Sequence, residues 1–403
     1  MQNLRIRKAL FLPVFLLFLT YPVIAQNEKA RLVHHKACVI DTHTDTPMQL
    51  LDGCDLAVRH EAPDYRVDFP RLREGDVDAI FFGVFTGQKK RTPENYDEAY
   101  KMANRMIDST KKAVSLNRGT VEMAYSVKDI AHISGQDKTA ILLGMENGFP
   151  LEKNISRVEE FFKKGIRYIT LCHTTGNDIC SSSTDEGTDN GLSDFGVQVV
   201  KEMNRLGMVI DVSHISDKAF YDVLAITKAP VIASHSSVRA LCNHPRNMSD
   251  DMIKALAKNG GVIQICILGD YIVPGDTTSI NHLKHQELRK KFHNWQFIDD
   301  KERAKAWREY DSIDRAFPPV LPYITDAVNH IDHVVKLVGT DYVGIGSDFD
   351  GGGGLADCRD VADFPKITEE LLRRGYSQKD IDKIWGGNFL RVFKEVEKAK
   401  AGN

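Results

Sequence analysis

The strongest constraint on how this chain folds is a series of eight short apolar, β-branched runs. They are Ala37–Ile40, Ala79–Phe85, Ala140–Met145, Tyr168–Cys172, Met208–Val212, Val231–Ala233, Gly261–Ile267 and Tyr342–Ile345. Their apolar residues are continuous rather than alternating, which suits strands buried on both faces of a parallel sheet. Amphipathic stretches separate them. Val158 to Lys164 is one, and Phe195 to Leu206 is another, with Gly207 as its stop. Ser249-Asp250-Asp251 opens a third, over Met252 to Lys258. Eight such units predict an α/β chain of the (β/α)8 TIM-barrel type. A doubly wound open sheet is the alternative.

The ends of the runs separate the two. His43 and Asp45 follow the first run, Glu146 ends the third, and His173, His214, His235 and Asp348 follow the fourth, fifth, sixth and eighth. A barrel gathers all of these on its C-terminal face, where active sites form, whereas an open sheet spreads them along an edge. The barrel is therefore the expected fold. One irregularity stands between the seventh and eighth runs, a polar and charged insertion from about Pro274 to Pro319 that carries Lys284–Lys291, Trp295 and Trp307. It reads either as solvated helices or as a partial lid over the top face.

Composition narrows the function. The chain has 403 residues, 42% hydrophobic and 27% charged, which excludes collagen-like, low-complexity and disordered classes. Its 53 basic residues against 56 acidic ones leave a net charge of −3, so a nucleic-acid partner is not expected. Arg5, Arg7 and Lys8 precede an apolar run from Ala9 to Leu19, and Val23-Ile24-Ala25 precedes Gln26. This is the pattern of a cleaved secretory signal over residues 1–25, ahead of a single barrel domain at 26–403. An uncleaved anchor is the alternative, although the run is shorter than the roughly 20 residues a spanning helix needs. No Cys stands immediately after the cleavage point to take a lipid, and no later stretch suits a stable membrane anchor. Export is expected, to the periplasm where the cell has two membranes. The seven cysteines form no CxxC pair, so a thiolate zinc site is not expected, and Cys38, Cys172 and Cys266 read as small core residues. The oligomeric state stays open, a homodimer included.

The strand-end residues carry chemistry. In Asp41-Thr42-His43-Thr44-Asp45, the His and the second Asp stand two apart, so both can face the barrel axis and bind one divalent cation. His214 and His235 form a second pair from adjacent strands. Glu146 can give one carboxylate oxygen to each of two cations about 4 Å apart. A nitrogen and oxygen donor set without thiolate favours zinc, with manganese or cobalt as alternatives.

With these residues in view the chain resembles the membrane (renal) dipeptidases and their bacterial relatives, a branch of the metal-dependent amidohydrolases. The matching stretches include Ile40–Asp45, Gly144–Gly148, Tyr168–His173, Gly191–Gly196, Asn204–Gly207 with Ile210–His214, Ser234–Ser237, Pro245–Asn247, Gly346–Gly351 and Gly386–Arg391. The resemblance covers nearly the whole chain after residue 25. It implies an exported binuclear zinc dipeptidase. His43 and Asp45 would hold one zinc, His214 and His235 the other, and Glu146 would bridge them. His173 would contact the scissile carbonyl or its oxyanion, Asp348 would carry the proton, and Arg246 would bind the substrate's terminal carboxylate. A hydroxide bridging the two cations would attack the peptide carbonyl of a dipeptide. The cysteines depart from the disulfide spacing of the mammalian members, and the chain shows no apolar C-terminal tail for a GPI anchor. Ile265-Cys266-Ile267-Leu268 lacks the Tyr those members place near the substrate. The rival readings are another amidohydrolase chemistry, on a lactone or other amide, and a non-catalytic metal-binding barrel.

Overall fold

The computed structural model describes residues 28–292 and 300–400. The signal segment 1–25, Gln26, His293 and Trp295 lie outside the described residues, as does the side chain of Trp307. Among the described residues there are nine strands: β1 (Ile40–Thr44), β2 (Ala79–Phe85), β3 (Val121–Met123), β4 (Thr139–Glu146), β5 (Ile166–Thr170), β6 (Val209–Asp211), β7 (Ile232–Ser236), β8 (Val262–Ile265) and β9 (Val343–Ile345). All but β3 form one parallel series in the order β1-β2-β4-β5-β6-β7-β8-β9, and β3 pairs with β4 beside it. A parallel bridge between Thr44 and Phe349 joins the end of β9 to that of β1, with Asp45 N–H donating to Phe349 O at 2.9 Å. The result is a nearly closed eight-stranded barrel of the TIM type.

Alternate residues of each strand divide between two cores. On β2, Ile80 and Phe82 pack outward among helix residues such as Met106, Val199 and Phe220. Ala79 and Phe81 point inward and join Ile40, Leu142, Tyr168, Val209, Ile232 and Val262. These inner residues stand near the amino ends of their strands. The C-terminal helix Asn388–Lys400 adds Phe389, Val392, Phe393 and Val396 to them, and so closes that end of the barrel. Burial on both faces explains why the strand runs lack alternation.

Two strand positions differ from the sequence expectation. The first strand covers Ile40–Thr44 rather than Ala37–Ile40, because the polar stretch Asp41–Thr44 finds partners inside the barrel. The three-residue β3 was not anticipated and adds only a short edge to β4. The expected helices are present. Asp194–Leu206 begins under Ser193, whose hydroxyl accepts from Gly196 N–H at 2.9 Å, and ends at Gly207 with φ 70°. The insertion contains helices Ile280–Lys291 and Asp300–Ala316, which share a small core of Leu288, Phe292 and Ala306. Cys172 and Cys266 are fully buried, but Cys38 is only half-buried, at the border of the inner core.

Candidate metal centre

The carboxyl ends of the strands bring all the expected residues together. Glu146, the last residue of β4, lies at the centre and is 2% exposed. Its Oε1 stands 3.0 Å from His214 Nε2, 3.4 Å from His235 Nε2 and 3.7 Å from His173 Nε2. Its Oε2 faces His43 Nε2 at 3.3 Å. His43 Nε2 in turn lies 3.7 Å from Asp45 Oδ1 and 4.0 Å from Asp348 Oδ1. Asp45 occupies the position before helix Thr46–Leu51, yet its carboxylate does not cap that helix. The side chain is turned toward the cluster instead. Gly351 makes room for it, since a Cβ there would stand 2.3 Å from Asp45 Oδ2 and 2.5 Å from Asp348 Oδ1.

Hydrogen bonds fix which imidazole nitrogens face inward. Tyr168 OH donates to Thr42 O at 3.2 Å, so at 2.7 Å from His43 Nδ1 it accepts that ring's proton. A Cβ at Gly144 would stand 2.0 Å from Tyr168 Cζ, so only glycine admits this ring. Ser234 Oγ donates to Asp211 Oδ2 at 2.6 Å and therefore accepts from His235 Nδ1 at 2.8 Å. Both rings thus turn an Nε2 lone pair into the site. His214 Nε2 and His235 Nε2 approach to 2.8 Å, and His43 and His235 stack at 4.0 Å. His43 Nε2, Asp45 Oδ1 and Glu146 Oε2 are buried with no hydrogen-bond partner. Among the described residues three groups could each hold a cation: His43, Glu146 and His235; Glu146, His173 and His214; and His43, Asp45 and Asp348. Buried acceptors that converge without donors fit around divalent cations, and a set of imidazoles and carboxylates fits zinc.

The charges of the centre are strained when the protein must balance them alone. Burial by itself would lower His43, but the carboxylates of Glu146, Asp45 and Asp348 raise it to about 10. Burial would raise Glu146, but the charge of His43 and the close imidazoles of His214 and His235 hold it well below the usual range. Burial, with the charge of Glu146 behind it, pushes Asp45 well up. Burial lowers His235 to about 3 and His173 to about 4. It raises Asp348 to about 7, with His43 opposing and Glu146 adding to the rise.

Arg246 sits at the rim and is 3% exposed. Its guanidinium donates to His235 O at 2.9 Å and Ser236 Oγ at 3.4 Å, lies 5.3 Å from the Tyr271 ring centroid, and leaves Nε without a partner. Cys266 Sγ lies 3.7 Å from Asp348 Oδ2. Asp350 accepts from Thr46 Oγ1 and Arg66 N–H, which is a loop-tying role. Sequence reasoning did not single out Tyr168, Asp211, Ser234 or Ser347 as parts of this site. All four lie within the stretches that carry the resemblance, Tyr168–His173, Ile210–His214, Ser234–Ser237 and Gly346–Gly351, but nothing in those stretches gives them a role.

Comparison with known proteins gives the family. The model of the membrane dipeptidase family, peptidase family M19, matches residues 27–403. The dipeptidase tcpJ of Claviceps purpurea is 32% identical over 83% of this chain and 70% of its own length. The uncharacterized dipeptidase C965.12 of Schizosaccharomyces pombe is 31% identical over 93% of this chain and 84% of its own length. Among solved structures, the probable dipeptidase PvdM of Pseudomonas aeruginosa superposes with a TM-score of 0.80 at 29% identity, covering 93% of this chain and 99% of that one. The chain belongs to the membrane dipeptidase family, peptidase family M19.

Proposed function

We propose that the chain is an exported dipeptidase working with two zinc ions. His43 and Asp45 would hold one ion, His214 and His235 the other, and Glu146 would bridge them. The observation that carries this reading is Glu146, whose two oxygens face separate imidazole groups inside a buried cluster of unpartnered acceptors. Two bound divalent cations would supply a nucleophile at neutral pH and polarise the substrate carbonyl.

The protein's residues do the rest. Arg246 takes the C-terminal carboxylate of the dipeptide, since guanidinium pairs with carboxylate bidentately. This brings the scissile carbonyl toward the proposed cations and His173. Held neutral by burial, His173 offers a ring N–H to the oxygen of that carbonyl as negative charge develops on it. Asp348 accepts the proton of the attacking water at a carboxylate oxygen and delivers it to the leaving amine nitrogen. Export rests on residues 1–25 alone. Among the described residues no helix is long and apolar enough to cross a membrane.

One preparation tests the whole reading. Protein recovered after export should begin at or near Gln26, hold about two divalent ions per chain as two-metal hydrolases do, and cleave members of a panel of L,L- and L,D-dipeptides. An intact Met1 overturns export, active protein without metal overturns the cofactor, and failure on every dipeptide when metal-loaded overturns the activity.

A further inference from the structure

Beneath the proposed ligands lie two carboxylates that the reaction does not use. Asp41 and Asp211 are both fully buried. Asp41 stands two residues before His43, and Asp211 three before His214. Their hydrogen bonds follow one plan. Asp41 Oδ1 accepts the N–H of Ser347 at 2.8 Å and that of His43 at 3.2 Å, while Oδ2 accepts the Ser347 hydroxyl at 2.5 Å. Asp211 Oδ1 accepts the N–H groups of Ser213 at 3.0 Å and Ser234 at 2.8 Å. Its Oδ2 accepts the hydroxyls of Ser234 at 2.6 Å and Thr170 at 2.5 Å.

What each carboxylate holds is more telling than that it is satisfied. Ser347 is followed by Asp348 at φ 59°, and Ser213 by His214 at φ 70°. Both are site residues in the left-handed region, which a side chain with a Cβ keeps only when its surroundings enforce it. In each case the carboxylate grips the N–H one residue before the turn. Asp211 has a second hold, because Ser234 gives it the hydroxyl proton and must then accept from His235 Nδ1.

We infer that Asp41 and Asp211 are positioning residues on opposite sides of the centre. Asp211 fixes the turn at His214 and the tautomer of His235, and Asp41 fixes the turn that aims Asp348. The inference rests on the metal-centre reading above. A carboxylate suits these positions because every neighbour of its oxygens is a donor. Asparagine keeps the shape, but its NH2 must either face the backbone N–H groups or turn the hydroxyls into acceptors, which reverses Ser234 toward His235 Nδ1 and frees the Ser347 hydroxyl.

The test uses the full chain loaded with zinc, with zinc retention read by chelator competition and kinetics read separately. Asp211→Asn should release the zinc of the His214 and His235 side 10- to 100-fold more readily, the usual effect of losing a partner behind a ligand, while the other ion stays. Asp41→Asn should hold both ions within a few-fold and lose kcat at least tenfold with KM nearly unchanged. Where an Asn variant does not fold, Ser234→Ala and Ser347→Ala remove single hydroxyls on the same two paths and should move the same readouts in the same directions. A merely structural role predicts a lower melting temperature with unchanged zinc retention and kcat in the folded protein, and that result overturns the inference. Wild-type chain that retains no zinc in the same titration overturns the metal-centre reading instead, so the two failures are distinguishable.

Discussion

Arg246 is a buried cation whose hydrogen bonds go to neutral acceptors, one backbone carbonyl and one hydroxyl. A guanidinium held this way is prepared for a carboxylate that arrives with the substrate. On the proposed reading the metal ligands would fix where the scissile carbonyl sits, so Arg246 would measure the distance from it to the C-terminus. Arg246→Ala should cost dipeptide hydrolysis about 2–5 kcal/mol in kcat/KM, the scale for truncating one partner of a desolvated charge pair. A C-terminally amidated dipeptide should lose much less, and equal losses on both would show that Arg246 only supports the loop. Asp348 answers a different question. Burial raises its carboxyl above the ordinary carboxylate range, which suits a group that both takes and returns a proton. Asp348→Asn should keep the metal content and lower turnover roughly 10²-fold or more. Metal analysis beside steady-state kinetics checks this, and near-normal turnover would move the role to another group.

At the scale of elements, the strands present the site and the helices behind them hold the presenting loops still. His330, on helix Ile324–Val338, shows how. It is 1% exposed, accepts the N–H of Val238 at Nδ1 at 3.0 Å, and donates from Nε2 to Ile272 O at 2.8 Å. These two contacts tie the loop that carries Arg246 to the segment that carries Tyr271. Burial lowers His330 from 6.5 to about 4, with the bond to Ile272 opposing. The unfolded chain therefore takes up this proton first as the pH falls. The contribution of a neutral His330 is complete above about pH 6.5, drains between there and about pH 4, and amounts to about 3 kcal/mol. His330→Gln should flatten that part of the stability curve in urea melts run from pH 7 to pH 4, and an unchanged slope would refute it. This level also marks what the sequence could reveal. Runs such as Ala79–Phe85 are legible because burial on both faces leaves a continuous apolar signature. The first strand is misplaced because Asp41, Thr42, His43 and Thr44 carry no such signature, and their partners Ser347, Ser234 and Tyr168 lie more than a hundred residues away. The proposed ligands are legible because each follows an apolar run. The residues behind them are not, since a serine beside a histidine acquires its meaning only from a third residue on another strand.

At the scale of the whole molecule, the two ends of the barrel obey different rules. The amino end is an apolar seal, with Phe393 fully buried among residues such as Phe389, Phe81 and Tyr168. The carboxyl end holds Asp45, Glu146 and Asp348 together under cover, where His43 must be driven to about 10 to offset them. Divalent cations would relieve that burden only in the folded state, so binding and stability are linked. A site loaded at a thousandfold excess over its Kd contributes about 4 kcal/mol. Chelation should therefore lower the melting temperature of the wild type by several degrees. Glu146→Gln removes the shared ligand and one charge of the cluster, so its melting temperature should respond little to the chelator. Phe393→Ala should lose about 3–5 kcal/mol from the opposite end, the usual cost of truncating a buried Phe, yet keep the full chelator shift, because distant sites add independently. Calorimetry of the three proteins with and without chelator separates these terms. A Glu146→Gln protein that shifts as far as the wild type would show that the cations are held elsewhere. A wild type that does not shift would show that the carboxyl end balances its charges without them.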